Sequence, residues 1–316
     1  MRPARAADPH RLTVSASWSS PFAARDRVVA RGSDWELTGW RRARHHLREA
    51  WRLHRGSRDV VLITGAMEVY FLSLFSIARP SRRLVVYDFL RPKAWWAPWA
   101  GRLVLWRVDR WLVIRRSDVG MLRASFGVRP SRCRFVPFPG TAASRSPSLG
   151  DYVYAAGIAH RDWPNLVTAA AAVAVPFITS CRPPLAGATP NVDARDLVSP
   201  AEGRRLSAAA RIVVAPMVDT DLPSGPVVVV DAQANGKAVV ATDVGGTRDY
   251  IEHGVTGWLV PPGDPEALAE QLRRVYDDTA LLERVGEAAR KRVAGIDECL
   301  HFIVSAACDT GWHDVG

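Results

Sequence analysis

Asn235-Gly-Lys-Ala-Val-Val-Ala-Thr-Asp-Val-Gly-Gly-Thr-Arg-Asp-Tyr-Ile-Glu-His-Gly-Val-Thr-Gly-Trp-Leu-Val-Pro-Pro-Gly-Asp264 decides how the whole chain is read. Ala238–Thr242 is an apolar, β-branched run of strand length and reads as a buried strand. It ends in the pair Gly245-Gly246, where backbone can approach a neighbour closely. A short helix follows. The turn Gly254-Val-Thr-Gly257 then feeds the apolar strand Trp258-Leu-Val260, and Pro261-Pro-Gly-Asp264 stops it. Asp264 opens an amphipathic helix to about Tyr276, and Leu281–Val293 reads as another.

Strand and helix alternate upstream as well, which predicts parallel sheets covered by helices. In the first half, strands are expected at Val60–Thr64, Arg83–Asp88, Arg110–Ile114 and Arg134–Phe138. Helices are expected at Met67–Ala78, Trp95–Arg107 and Ser117–Phe126, the last capped by Ser117. Before these, Arg11–Ala16 reads as an edge strand, and Gly39–His54 as a basic helix with Trp40, Leu47 and Trp51 on one side. Pro139–Gly150 is small and polar and reads as a linker. Beyond it, strands are expected at Tyr152–Ala156, Val175–Thr179 and Arg211–Ala215, with helices at Pro164–Val173 and Pro200–Ala210. Pro183–Asn191 reads as turns. Gly225–Ala232 is valine-rich, and composition alone makes it a strand. A terminal helix is expected over Glu298–Ala307.

The chain has 316 residues, 48% of them hydrophobic, which is enough for two domains and excludes global disorder. The four cysteines, Cys133, Cys181, Cys299 and Cys308, show no disulfide or zinc spacing and read as reduced thiols. With no secretory leader and no apolar run of spanning length, the expected location is the cytoplasm, or the cytoplasmic face of a membrane. The net charge of +10 allows nucleic acid, anionic lipid or a phosphorylated substrate as partner. No nucleic-acid motif accompanies the dispersed arginines, so nucleic acid is not expected. No Gly-x-Gly-x-x-Gly follows a strand, which argues against a dinucleotide-dependent dehydrogenase. No Ser/His/Asp or Cys/His arrangement stands out.

From about Tyr152 to Val293 the sequence resembles the donor half of retaining glycosyltransferase family 4. The likeness extends weakly over Val60–Phe138. It implies an α/β chain of the GT-B fold, with two Rossmann-like domains facing across a cleft. The implied domains are residues 1–140 on the acceptor side, a linker at 141–150, and a nucleotide-sugar domain at 151–296. Residues 297–316 would form a terminal helix crossing back to the first domain. The resemblance also makes 225–232 the opening of a helix rather than a strand.

The family pattern is Glu, seven residues, Glu, at that helix. The last glutamate, a ribose ligand in the family, is Asp231 here; a helix-surface charge is the alternative reading. The first falls on Pro223, and Ser224-Gly225 resembles a variant of the motif. Ser224, Gly225 and Pro226 would then present helix N-terminal N–H groups to the donor diphosphate. The opening Tyr154-Ala-Ala-Gly-Ile-Ala-His-Arg-Asp-Trp-Pro-Asn-Leu166 resembles the family's domain opening. One family arginine is Ile158 here, while Arg161 remains as the expected diphosphate cation and catalytic group. Asp162 would pair with Arg161 or cap the next helix, His160 reads as a solvated loop histidine, and Lys237 as structural. Asp88 is the second catalytic candidate. Asp88, Arg91, Asp221, Gly245 and Gly246 are candidates to contact donor sugar or acceptor, with Glu68 a weaker one. Asp219-Thr-Asp221 has the spacing of a metal motif but sits where the two-domain class carries acidic loops, so no metal and no cofactor are expected. The implied reaction moves a sugar from a nucleoside diphosphate sugar to a hydroxyl-bearing acceptor with retention. A non-catalytic binding protein of the same fold and a nucleotide-sugar epimerase are the alternatives.

Arg91–Trp111 mixes tryptophan, aliphatics and cations. That mix suits peripheral contact with an anionic membrane and would fit a lipid-linked acceptor; a core helix with a solvated basic face is the other reading.

Overall fold

The computed structural model describes residues 12–17, 28–31, 39–56, 59–65, 67–92, 94–142, 149–185, 189–220 and 226–308. By their contacts, the described residues of Met1–Pro137 and Ile296–Gly316 form one compact unit and those of Phe138–Gly295 another.

The first unit is built on strands β1 (Leu12–Ser17), β2 (Val28–Arg31), β3 (Asp59–Gly65), β4 (Leu84–Phe89), β5 (Arg110–Val113) and β6 (Cys133–Phe135). All pair in parallel, in the order β2-β1-β3-β4-β5-β6, with Val60 opposite Leu84 and Val86 opposite Trp111. Its helices are α1 (Gly39–Gly56), α2 (Met67–Ile77), α3 (Ala97–Val104) and α4 (Ser117–Phe126). Each carries the chain in the same direction across the sheet, so right-handed crossovers put all four on one face. The core agrees: Leu53, Leu72, Ala97 and Leu122 join one cluster with Val60, Leu84, Val86 and Val113. β4 is buried along its whole length, the mark of a central parallel strand.

The second unit contains β7 (Val153–Ala156), β8 (Phe177–Ser180), β9 (Val192–Arg195), β10 (Ile212–Ala215), β11 (Ala238–Thr242) and β12 (Trp258–Val260). They form a parallel sheet in the order β12-β11-β10-β7-β8-β9. Its helices are α5 (Trp163–Ala171), α6 (Pro200–Ala209), α7 (Pro226–Ala234), α8 (Gly245–Arg248), α9 (Pro265–Val275) and α10 (Thr279–Arg290). Alternate strand residues sort to opposite faces. Val153, Val214 and Val240 pack with α5, α9 and α10, whereas Tyr154, Val213 and Val239 pack with α6 and α7. The remaining helix, α11 (Ile296–Cys308), belongs to the first unit. There Cys299 Sγ lies 3.2 Å from the Pro137 carbonyl, and Tyr87, on the face of β4 opposite Val86, donates to the same carbonyl at 3.0 Å.

Where composition made the valine-rich segment a strand and the resemblance made it a helix, residues 226–234 are helical, because Val229 and Ala232 are buried against β10 and β11; packing outweighs propensity. Pro226 occupies the first helical position, where its missing N–H costs nothing. Ser117 does not cap α4: it is the first helical residue, and Arg116 holds the cap position without a side-chain bond. The Trp-rich helix is split into α3 and a 3₁₀ turn, Leu105–Arg107. β2 and β9 were not anticipated. β9 lacks an apolar run and is held by register, with Phe177 opposite Val192, and by Asn191, whose Nδ2 donates to the carbonyls of Ala170, Val173 and Val175 at 2.8–3.0 Å. Among the described residues no helix is long and apolar enough to cross a membrane.

Candidate functional site

In the second unit the chain leaves β7 toward β8 on one side and β10 toward β11 on the other, although β7 and β10 are neighbours. In open α/β sheets ligands bind at such a switch point, beyond the carboxyl ends of the two strands. The loops after β7 and β10 are stitched together there. The Asp162 N–H donates to the Pro216 carbonyl at 3.0 Å, the Val218 N–H donates to the His160 carbonyl at 3.0 Å, and Arg161 and Met217 form an isolated antiparallel bridge. The loop after β11 joins in, because the Met217 N–H donates to Thr242 Oγ1 at 2.9 Å and Thr247 Oγ1 donates to the Thr242 carbonyl.

Arg161 is the charge at this crossing. Nε donates to the Ala156 carbonyl at 2.9 Å, and Nη1 to the Ala159 carbonyl at 3.0 Å and to Met217 Sδ at 2.9 Å. These use three of the five guanidinium N–H groups. Nη2 has no partner among the described residues, and no carboxylate there pairs with this side chain. Burial without a counter-charge pushes its pKa down to about 10, so the group is still cationic at neutral pH. Gly157, at φ +134°, makes room: a Cβ there would stand 2.6 Å from Arg161 Nε. His160 holds a left-handed backbone, φ +53°, directly before Arg161, a conformation that costs about 1 kcal/mol outside glycine. Asp162 caps α5, accepting from the Asn165 N–H at 3.3 Å, and does not pair with Arg161.

Since α7 returns antiparallel to β10 and β11, its N-terminus lies at the same carboxyl edge as Arg161. Pro226 begins it and is buried. Ser224, Gly225 and Asp221 lie outside the described residues. Asp231 sits on α7, and its Oδ1 accepts from the Thr141 N–H at 2.8 Å. Burial raises its pKa, with the Thr141 N–H pulling the other way. Asn235 Nδ2 donates to the Thr141 carbonyl at 3.2 Å, and Gly140 allows the linker this close, since a Cβ there would stand 2.6 Å from the Val230 carbonyl. Asp231 is therefore a held carboxylate rather than a free surface charge. Gly245 and Gly246 open the single turn α8, Gly246 fully buried. Lys237 is buried at the end of α7, and desolvation lowers its pKa. Asp219 is exposed, and among the described residues no three His, Cys, Asp or Glu side chains converge.

In the first unit Asp88 is the penultimate residue of β4. It is buried and left-handed, φ +55°, a second strained non-glycine residue in addition to His160. Arg91 is half-buried, with Nη1 donating to Ser125 Oγ at 3.3 Å. Glu68, at the start of α2, is buried 3.0 Å from His46 Nδ1 of α1. Sequence reading missed Gly157, Met217, Thr141 and His46. Only Gly157, in a strand-to-helix loop, carried a local signal.

Residues 197–292 match the family Glycosyl transferases group 1. A segment of 75 residues is 41% identical to the amylovoran biosynthesis glycosyltransferase AmsK of Erwinia amylovora, covering 24% of this chain and 18% of that protein. The chain thus matches less than a fifth of that relative's length. Among solved structures, a glycosyltransferase from Rickettsia africae superposes with a TM-score of 0.66 at 13% identity, over 90% of this chain and 86% of that one. Anabaena HepE, solved in complex with UDP, gives 0.65 at 18% identity over 95% and 96%. The fold is thus that of the two-domain, Rossmann-like GT-B glycosyltransferases.

Proposed function

We propose that the protein transfers a sugar from a nucleoside diphosphate sugar to a hydroxyl-bearing acceptor, with retention of anomeric configuration and without a metal. The observation that carries this reading is the guanidinium of Arg161, paired with no carboxylate among the described residues and fixed by three hydrogen bonds at the switch point of a sheet whose β10, α7 and β11 lie inside the group 1 match. A diphosphate supplies the negative charge that this guanidinium lacks. The N-terminus of α7, which opens at Pro226, adds first-turn backbone N–H groups at the same carboxyl edge.

In this reading Asp231 receives the ribose hydroxyls. A carboxylate offers about four lone-pair sites, and Thr141 N–H occupies one. UDP is the first nucleotide to try, because the HepE neighbour is solved with UDP and also with UDP-glucose. Transfer breaks the bond between the anomeric carbon and the diphosphate oxygen and forms one to the acceptor oxygen. The acceptor proton passes to the departing phosphate, so the protein's part is to position the reactants and screen charge. Asp88 and Arg91 serve the acceptor side, and a lipid-linked acceptor suits the surface of the first unit.

Incubation with UDP-, GDP- and ADP-sugars, followed by chromatography for released nucleotide, tests the proposal. Turnover of one donor, even as slow hydrolysis, is expected. Nucleotide binding without turnover of any donor would favour a non-catalytic role.

A further inference from the structure

The first unit presents a helical surface apart from the donor site of the second. α1, α2 and α3 lie side by side on one face of the sheet, and their inward sides fill the core. Their outward sides expose large apolar side chains. On α1, Trp40, Leu47 and Trp51 stand out at helical spacing, and Leu74 and Ile77 do so on α2. Around α3, Trp95, Trp99, Leu103 and Trp106 form a second stripe, Trp95 being 85% and Trp99 72% exposed.

The charge on this layer has one sign. All six arginines of α1, from Arg41 to Arg55, are exposed, as is Arg102 of α3. The only acids of α1 to α4 are tied down: Glu49 by Arg52 at 2.8 Å, Glu68 beside His46, and Asp118 by Arg115. Exposed indole rings among arginines, with no exposed acid between them, complement a plane of lipid phosphates above hydrocarbon. No helix here is long and apolar enough to span the bilayer, so the layer would lie on it.

We propose that the outer face of α1, α2 and α3 docks the protein on an anionic phospholipid bilayer. The tryptophans sit at headgroup depth and the arginines meet lipid phosphate. This inference does not depend on the donor site.

Flotation of the full chain with phosphatidylcholine vesicles, with and without phosphatidylglycerol, tests it. The protein should float only with the anionic vesicles, with tryptophan emission shifted to the blue and binding weakened by salt. The triple variant Trp95→Ala, Trp99→Ala, Trp106→Ala should partition at least about tenfold less. The triple variant Arg41→Gln, Arg44→Gln, Arg48→Gln should lose about fivefold per arginine, and it carries the test if the tryptophan variant fails to fold. Absence of flotation, equal flotation with neutral vesicles, or flotation untouched by both variants overturns the proposal. So does a dimer in sedimentation that the tryptophan variant dissociates, which would give this face to a second copy of the chain. A protein that floats yet binds no nucleotide sugar would refute the transfer reading and leave this one standing.

Discussion

Replacing Arg161 by methionine removes its charge and donors while keeping much of its length against Gly157. Three N–H groups are committed to Ala156, Ala159 and Met217, which leaves the two on Nη2 for a ligand. Hydrogen bonds to charged groups contribute about 1.5–3 kcal/mol each. The side chain is already fixed, so little entropy is lost on binding. Taking the lower value for two bonds gives about 3 kcal/mol, on the order of a hundredfold in donor Kd. The effect on folding runs the other way. Two carbonyls lose a donor, but a desolvated, unpaired cation is removed, so the melting temperature should move by only a few degrees. Calorimetric titration with the preferred nucleoside diphosphate, beside thermal melts, separates the two. An Arg161→Met protein that melts normally and binds donor as tightly as the parent would refute the reasoning.

Gly157→Ala should reproduce that loss of affinity without removing any charge, because its Cβ would displace the guanidinium; titration checks this, and a melt should show a backbone cost of about 1–3 kcal/mol. Asp231→Asn probes pH dependence. Burial raises the Asp231 pKa, so the stability it contributes is complete below the unfolded value and is lost as pH rises through the folded one. Urea melts should therefore show the asparagine variant gaining on the parent from acid to neutral pH, while donor affinity at neutral pH falls about fivefold. Asp88→Asn keeps a residue that tolerates the left-handed backbone. It should leave donor Kd unchanged and slow transfer to the acceptor by at least about tenfold, read by comparing transfer with donor hydrolysis.

Most strands of both sheets, though not β2 and β9, were legible, because a buried parallel strand is a short β-branched run between turn residues; β4, β10 and β11 are the clearest. β9 was not, since Val-Asp-Ala-Arg has no apolar pattern and is a strand only through its pairing with β8. α7 was legible only through the resemblance, because its composition is strand-like and its helix is set by packing against β10 and β11. At the site, Arg161 could be singled out by the resemblance of Tyr154–Leu166 to the family's domain opening. What holds it could not, because the Met217 sulfur arrives from 56 residues away. The same applies to Thr141 against Asp231, 90 residues apart. The left-handed backbones at Asp88 and His160 could not be read from sequence, since both residue types are enriched at positive φ but adopt it in only a small minority of positions.

The most direct test is a crystal structure with the nucleoside diphosphate that most raises the melting temperature. The account predicts phosphate oxygens within hydrogen-bond distance of Arg161 Nη2 and at the first turn of α7, with the ribose against Asp231. A nucleotide bound elsewhere, or a crevice between β7 and β10 closed by neighbouring side chains, would contradict it.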